Sequence, residues 1–395
     1  MSNQAVLHHP IPLARPDRRA RGRFVRFVVD RSLLLPLGAA IAMAWANTAA
    51  ESYFRFSHAI AFPVNEIAMA FFLALVAQEV LEAMMPGGVL HSWRRWGLPV
   101  MAAGGGVLGA AAVYLLYVNL KYEVILAPAW PIACAVDVAA AYYVLKTIWR
   151  RGSVLPFLLL VALATDAFGL LIVALRPPLV AIGPASALLM TAALGVSAMM
   201  RLWQVPGFWP YIAIGGTLSW LALYLQGIHP ALALLPIVPF LPREPRQRDP
   251  FAEPIDDDPV HHFEHRWTEL VQLVLFLFGV VNAGVILRGY GTGTWAILTA
   301  ALVGRPLGIL AGVGLALALG FHLPRRIGWR ELLVIALATS SGFTFALFMA
   351  TGLIATGPLL AELKLGSLST VVAALIAIGV ARLLRVGRFA RTGAQ

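Results

Sequence analysis

The sequence predicts an all-α membrane protein with about twelve transmembrane helices, and its composition, apolar runs and basic residues each support this. Hydrophobic residues make up 60% of the 395 residues, and charged residues make up only 12%. A soluble protein carries about 25% charged residues, so this chain has too few charged residues to form a surface that is exposed to water on all sides. The mean hydropathy of +0.80 agrees with that conclusion.

Each predicted span is an apolar run, and most runs have the length of about 20 residues that crosses a bilayer as a helix. The runs cover residues 33–50, 64–84, 98–118, 125–149, 154–175, 179–200, 208–225, 228–241, 267–287, 295–320, 331–354 and 366–384. They predict one transmembrane domain at 31–386. The rest of the chain is a basic tail at 1–30, a tail at 387–395 and, within the domain, a linker at about 242–266.

The basic residues predict the orientation. Of the 30 Lys and Arg residues, 24 fall in segments on the same side as the N-terminus, five fall on the opposite side, and Arg305 lies within a span. Cytoplasmic loops carry the excess of basic residues, so both termini are predicted to be cytoplasmic. Because these residues lie between apolar runs, they indicate topology, and we predict no nucleic-acid partner. The single Cys134 lies within a span and allows no intrachain disulfide.

Three charged residues interrupt the apolar runs, namely Asp137, Asp166 and Arg305. A charge at membrane depth costs about 2.5–3.5 kcal/mol on insertion scales, and it usually marks an ion or proton pathway. An ion pair within the membrane can also be purely structural, which is a second interpretation of Asp166 and Arg305. Asp137 has no obvious partner in the sequence, and this favours a functional role.

Two spans contain helix-breaking residues. The fourth span has Pro128 and Pro131 shortly before Asp137, and the eleventh has a Thr/Ser/Gly cluster that begins at Thr339 and includes Gly342. Proline removes a backbone donor, and such a cluster loosens a helix. Broken helices in both halves of a transporter are typical of an ion site at the membrane midplane. A simple kink is the alternative interpretation of either break alone.

These residues resemble the NhaA-type sodium/proton antiporters, over about residues 31–385 and in matching order and spacing. The resemblance implies an inverted-repeat fold with broken fourth and eleventh helices, in a bacterial inner membrane. It also implies that Na+ or Li+ is exchanged for H+, with membrane lipids as the other partner and without a cofactor. The segments that carry it are VNEIAMAFFLALVAQEV, WPIACAVDVAAAYYVL, ALATDAFGLLIVAL, LQGIHPALA, VVNAGV, GRPLG and SSGFTFALFMA.

The resemblance assigns roles to the charged residues within the spans, and it also shows departures. Asp137 takes the place of the family's fourth-span aspartate, and Asp166 takes the first of two adjacent fifth-span aspartates. Ala167 stands where the second of these is expected, and that second aspartate is the one most directly tied to cation binding. Val136 stands where the family usually has a threonine. Arg305 replaces the tenth-span lysine that pairs with the first aspartate.

Four further residues are assigned by the same resemblance to the cytoplasmic side. Glu79 takes the place of a glutamate in the family's cytoplasmic funnel, and Glu82 lies at the same end of that span. Glu264 and His265 match a region that the family uses for its pH response. For all four, a solvated end of a span is the alternative interpretation. The predicted loop Glu51–Pro63 is too short for the family's dimerising β-hairpin, which leaves the oligomeric state open.

An antiporter needs a group that binds either a proton or a cation. A carboxylate in a partly hydrated cavity suits this, because desolvation and nearby charges tune its proton affinity. Sodium also needs several oxygen ligands. We predict a cation and proton site made by Asp137, Asp166 and Thr165 with exposed carbonyls near residues 133–135. In this site Asp137 and Asp166 are the Na+ ligands and Arg305 is the counter-charge.

Arg305 restricts the mechanism, because arginine keeps its proton in proteins whereas a buried lysine can lose it. A guanidinium beside Asp166 would form a tight, bidentate pair. Three hypotheses follow. Asp137 exchanges ions and the Asp166–Arg305 pair is a structural lock, or the cation displaces Arg305 from Asp166, or sodium transport has been lost and Arg305 attracts another solute.

The leading functional hypothesis is a proton-coupled monovalent cation antiporter with a reduced, electroneutral stoichiometry, because one carboxylate is missing. The alternatives are a diverged transporter of another solute and a non-transporting membrane sensor or scaffold. An enzyme is not predicted, because the spans contain no His-rich metal spacing, no Gly-x-Ser-x-Gly elbow and no Cys–His dyad.

Overall fold

A computed structural model describes residues 34–84, 93–149, 154–175, 183–242, 259–287, 290–324, 327–354 and 357–390. These residues form helices, turns and irregular segments without a β-strand. The α-helices are α1 (Leu34–Thr48), α2 (Ala50–Phe62), α3 (Met69–Met84), α4 (Trp93–Leu120), α5 (Val138–Ile148), α6 (Val154–Ala174), α7 (Pro184–Leu202), α8 (Thr217–Leu225), α9 (Pro259–Asn282), α10 (Thr292–Thr299), α11 (Arg305–Ala318), α12 (Trp329–Ala338), α13 (Phe343–Leu353), α14 (Pro358–Ser369) and α15 (Val372–Leu383).

Shorter helical turns join or extend these helices. Wide π-helical turns join α2 to α3 at Pro63–Ala68 and α10 to α11 at Ala300–Gly304, and a third at Tyr211–Gly216 leads into α8. Tight 3-10 segments cover Val124–Cys134, Pro230–Leu232, Val238–Phe240 and Gly387–Phe389.

The predicted membrane helices are present, although the count of twelve is not confirmed. In the described part of the chain, 6 helices are long and apolar enough to cross a membrane, and there are 8 such spans if each of two bent helix pairs counts as one. Three shorter apolar helices, at Leu34–Thr48, Tyr211–Leu225 and Leu270–Asn282, match further predicted spans. The two bent pairs are the predicted fourth and eleventh spans.

Two predicted segments were wrong. Residues 51–63 were predicted as a loop, but α2 covers Ala50–Phe62 and runs through the π-helical turn into α3. Residues 228–241 were predicted as a helical span, but this described segment holds only two 3-10 turns, and its prolines explain the loss of regular α-helix. The segment is nonetheless buried and packs against α3.

Two boundaries also differ from the prediction. Helix α9 begins at Pro259, inside the predicted linker, and residues 243–258 lie outside the described part. Helix α14 begins at Pro358, so Lys364 belongs to a helix rather than to an outer segment. The predicted N-terminal tail lies outside the described residues. The turn Gly387–Phe389 folds back so that Gly387 contacts Ile148 at the end of α5.

A glycine seam brings α4 and α11 into backbone contact and fixes where α11 begins. Gly105 and Gly109 on α4 face Gly304, Gly308 and Gly312, and a Cβ on any of the five would overlap backbone atoms of the opposite helix. Small residues allow such close approach between membrane helices. The seam therefore sets the position of Arg305, the first residue of α11.

We expect Gly308→Ala to lower the free energy of unfolding of the purified protein by about 1–3 kcal/mol, and hence its melting temperature, because the added methyl forces two packed backbones apart. The matched control is Gly379→Ala in α15, where an added Cβ meets no atom within 4 Å. Alanine favours a helix over glycine, so the control should unfold at the same or a higher temperature. Equal melting temperatures for the two variants would contradict the tight seam.

Candidate ion-binding site

The first half of the fourth span is a 3-10 helix that ends just before Asp137. Pro128 and Pro131 lie inside this half, where they remove the backbone donors that an α-helix would need. The chain is extended at Ala135 and Asp137, and α5 then leaves at an angle of 53°. The break therefore falls at residues 135–137, a few residues after the predicted position at Pro131.

The second break, between α12 and α13, crosses the first one directly. The two halves bend by 46°, and Gly342 is the residue before α13. The Asp137 N–H donates to the Ser341 carbonyl at 2.8 Å. A Cβ on Gly342 would overlap the backbone of Ala135, so only glycine fits this crossing. The Thr370 hydroxyl accepts the Gly342 N–H at 3.2 Å and ties α14 to the crossing.

Both carboxylate oxygens of Asp137 accept hydrogen bonds at this crossing. It is 7% exposed and caps the N-terminus of α5, where Oδ1 accepts the Ala140 N–H at 3.0 Å. Oδ2 accepts the Thr344 hydroxyl at 2.6 Å. Thr344 lies in the first turn of α13, so the carboxylate stands near the N-terminal ends of both second halves. Negative charge is stabilised at such ends.

Arg305 places its positive charge at the C-terminal ends of the first halves of the two broken spans. Its side chain is 1% exposed, and its guanidinium donates to the carbonyl of Cys134 and, at 3.4 Å, to that of Thr339. These carbonyls end the first halves of the two broken spans, and positive charge is stabilised at helix C-termini. Arg305 and Asp137 thus compensate the four helix ends that meet at the crossing.

Asp166 differs from both because it lines a cavity. It is half-buried on α6 and lines a cavity of about 260 Å³, a volume that includes the cavity's open mouth. Thr165 also lines the cavity, and its hydroxyl donates to the Val161 carbonyl at 2.8 Å. The remaining lining residues are Val107, Pro131, Cys134, Ala135, Val136, Gly169, Ile172, Phe345 and Met349.

The expected contact between Asp166 and Arg305 is not formed. Among the described residues, the Asp166 carboxylate has no hydrogen-bond donor and no ion-pair partner. The guanidinium instead satisfies two carbonyls, because the helix breaks leave those acceptors without a backbone donor. The charge of Arg305 still acts on Asp166 through space, as do the charges of Asp137 and Glu79.

The four predicted residues of the cytoplasmic side are only partly described. Glu79 is exposed on α3, and its charge acts on Asp166. Glu82 belongs to α3, and Glu264 and His265 belong to α9, but the side chains of these three lie outside the described part.

A second acid–base pair was missed by the sequence analysis. Glu66 Oε2 lies 3.2 Å from Nδ1 of His229, and both side chains are largely buried. That nitrogen accepts the Ala231 N–H at 3.3 Å, so His229 caps the 3-10 turn Pro230–Leu232. The His229 ring packs on Phe348 of α13 at 4.9 Å between centroids. The available sequence signal was Glu66, an acid near the start of the apolar run of the second span.

Cys134 offers a native probe of the cavity, since it is the only cysteine among 395 residues and it lines the cavity beside Asp166. We expect a small, cationic methanethiosulfonate reagent to label Cys134 in membranes, and Na+ to slow this labelling several-fold by competing for the cavity. Labelling of Asp166→Asn should be insensitive to Na+, and Cys134→Ala should not be labelled. A thiol that stays unlabelled at every sodium concentration would contradict a hydrated cavity.

Two broken helices cross with compensated ends, and beside them a carboxylate without a partner among the described residues lines a cavity. This arrangement defines the class, which is that of ion-coupled membrane transporters. A family comparison then gives the particular family. The chain belongs to the Na+/H+ antiporter 1 family, whose model matches residues 23–383. The resemblance predicted from the sequence is therefore confirmed.

Similar proteins agree with this assignment. The chain is 39% identical over 385 residues to the Na(+)/H(+) antiporter NhaA of Desulfitobacterium hafniense, covering 94% of this chain and 98% of that protein. It is 37% identical to the Na(+)/H(+) antiporter NhaA of Geobacter metallireducens, covering 92% and 98%. These relatives are named as transporters rather than as enzymes.

A solved structure supports the fold. The sodium proton antiporter MjNhaP1 from Methanocaldococcus jannaschii matches with a TM-score of 0.53 and 15% sequence identity, over 92% of this chain and 95% of that chain. The predicted all-helical membrane fold is confirmed by this match.

Proposed function

We propose that the protein is a proton-coupled antiporter of Na+ or Li+ in which Asp166 alone binds either the proton or the cation. The observation that carries this proposal is the contrast between the two carboxylates. Asp137 has both oxygens engaged by donors, whereas Asp166 lines the cavity without a partner among the described residues. A group that alternates between two ligands needs an open coordination position, and Asp166 has one.

The other residues of the site have supporting roles in this proposal. Thr165 and the backbone beside the cavity supply further oxygen atoms for the cation. Asp137 and Arg305 are fixed charges that compensate the dipoles of the broken helices, because hydrogen bonds hold each of them at the helix ends. Glu79 adds negative charge on the proposed cytoplasmic approach to Asp166. The excess of basic residues supports a placement in the bacterial inner membrane with both termini cytoplasmic.

The contacts of Arg305 argue against transport of an anionic solute. Its side chain is 1% exposed, and its terminal nitrogens donate to carbonyl oxygens, so the guanidinium is not presented to the cavity. They also argue against a mechanism in which the cation must displace Arg305 from Asp166, because the two side chains are not in contact. The non-transporting sensor has no supporting observation.

Purified protein in liposomes tests the proposal. When Na+ or Li+ is added outside, protons should leave the vesicles as the cation enters, and a pH-sensitive dye inside the vesicles reports this movement. K+ and choline at equal concentration are the control cations. A wild-type protein that moves no protons with Na+ or Li+ anywhere from mildly acidic to alkaline pH would contradict the proposed function.

A further inference from the structure

Thr344 forms a side-chain hydrogen bond between the two broken spans. Its hydroxyl donates to Asp137 Oδ2 at 2.6 Å, and both residues are buried, with Thr344 9% and Asp137 7% exposed. The other threonines of this region bond to nearby backbone instead, as Thr339 does with Ala336 and Thr351 with Leu347 and Phe348. The hydroxyl of Thr344 is therefore directed at the carboxylate.

The neighbourhood of Asp137 explains why this hydroxyl matters. Val136, the residue before Asp137, is apolar, so its side chain offers no donor. Oδ1 is held by the backbone of α5, and that bond alone leaves the carboxylate free to rotate about its last torsion. The second oxygen has its donor on α13, so Thr344 fixes the orientation of the carboxylate relative to both broken spans.

We propose that Thr344 is a positioning residue for cation exchange, which holds Asp137 as a fixed negative charge so that its field acts on the cavity at Asp166. This inference rests on the proposed function. The charge of Asp137 acts on Asp166 without contact. Without the Thr344 hydroxyl, a buried carboxylate loses a charge-assisted hydrogen bond, reorients or takes up a proton, and attracts the cation less.

Transport kinetics test this role with three substitutions on one helix. Thr344→Val removes the hydroxyl and keeps the shape, Thr344→Ser keeps the hydroxyl, and Thr351→Val is the matched control that breaks only bonds within α13. A hydrogen bond to a charged group is worth enough to change an affinity by about tenfold. We expect Thr344→Val to raise the KM for Na+ about tenfold with a smaller change in maximal rate, and Thr344→Ser and Thr351→Val to keep the wild-type KM.

A double-mutant cycle separates positioning from packing. When Asp137→Asn has removed the charge, adding Thr344→Val should leave KM unchanged, and it should lower the melting temperature less than it does in the wild type, because the asparagine carbonyl accepts the hydroxyl only in a weaker, uncharged hydrogen bond. An equal effect of Thr344→Val in both backgrounds would overturn the inference, as would a Thr344→Ser variant as impaired as Thr344→Val. The failure of the proposed function is distinguishable, because then the wild type itself would not transport Na+. The melting temperatures of the purified variants would still show whether the two residues are coupled.

Discussion

Asp166→Asn should reduce sodium-dependent proton movement to the background of empty liposomes while leaving the protein folded. The amide cannot take up or release a proton, and it carries no charge to attract a cation into the cavity. Because the Asp166 carboxylate has no hydrogen bond among the described residues, the substitution removes no bond from the fold. The melting temperature of the purified variant should therefore equal that of the wild type.

Asp137→Asn tests whether the loss of transport is specific to Asp166 or follows from removing either buried carboxylate. This substitution disturbs a helix cap and the bond from Thr344, so it should lower the stability by about 1–2 kcal/mol. It should also weaken transport without abolishing it. Glu51→Gln, on a side chain exposed at the surface, controls for the loss of a carboxylate as such. Full transport in Asp166→Asn would contradict the role of Asp166 as the exchanging carboxylate. Complete loss of transport in a folded Asp137→Asn would contradict the role of Asp137 as a fixed charge.

The fold was largely predictable because apolar runs and helix breakers are local signals. Prolines 128 and 131 and the cluster around Gly342 predicted the two broken spans, which the structure confirms. The errors came where a local signal was weak or ambiguous. The polar residues of 51–63 suggested a loop, but they lie on a helix, and the apolar run 228–241 has a helix-like composition but too many prolines to form one.

The identity of the charged residues in the membrane could be predicted from the sequence, but their partners could not. The cost of burying a charge marks Asp137, Asp166 and Arg305 without any knowledge of the fold. Their contacts depend on which helix ends meet at the crossing. Arg305 binds backbone carbonyls, and backbone acceptors carry no sequence signature, so a pair with Asp166 was the expectation instead. The Thr344–Asp137 bond joins residues that are 207 positions apart in the chain.

The protein should exchange one monovalent cation for one proton and carry no net charge across the membrane. One carboxylate, Asp166, lines the cavity and has no partner in the described part of the chain, and the neighbouring position on α6 is Ala167. A single exchanging carboxylate carries either one proton or one Na+, so both half-cycles move the same charge. A membrane potential then has no net charge on which to act, and it cannot drive uptake.

Radioactive sodium uptake into liposomes with an imposed potassium diffusion potential tests this stoichiometry. We expect wild-type uptake to follow the pH gradient and to be unchanged by valinomycin. Ala167→Asp adds a second titratable carboxylate beside Asp166, and exchange of two protons for one Na+ moves net charge. Uptake by this variant should therefore respond to the potential. A wild-type protein that responds as strongly as Ala167→Asp must have a second exchanging group, and Asp137, released from Thr344 during the cycle, is a buried carboxylate that could supply it.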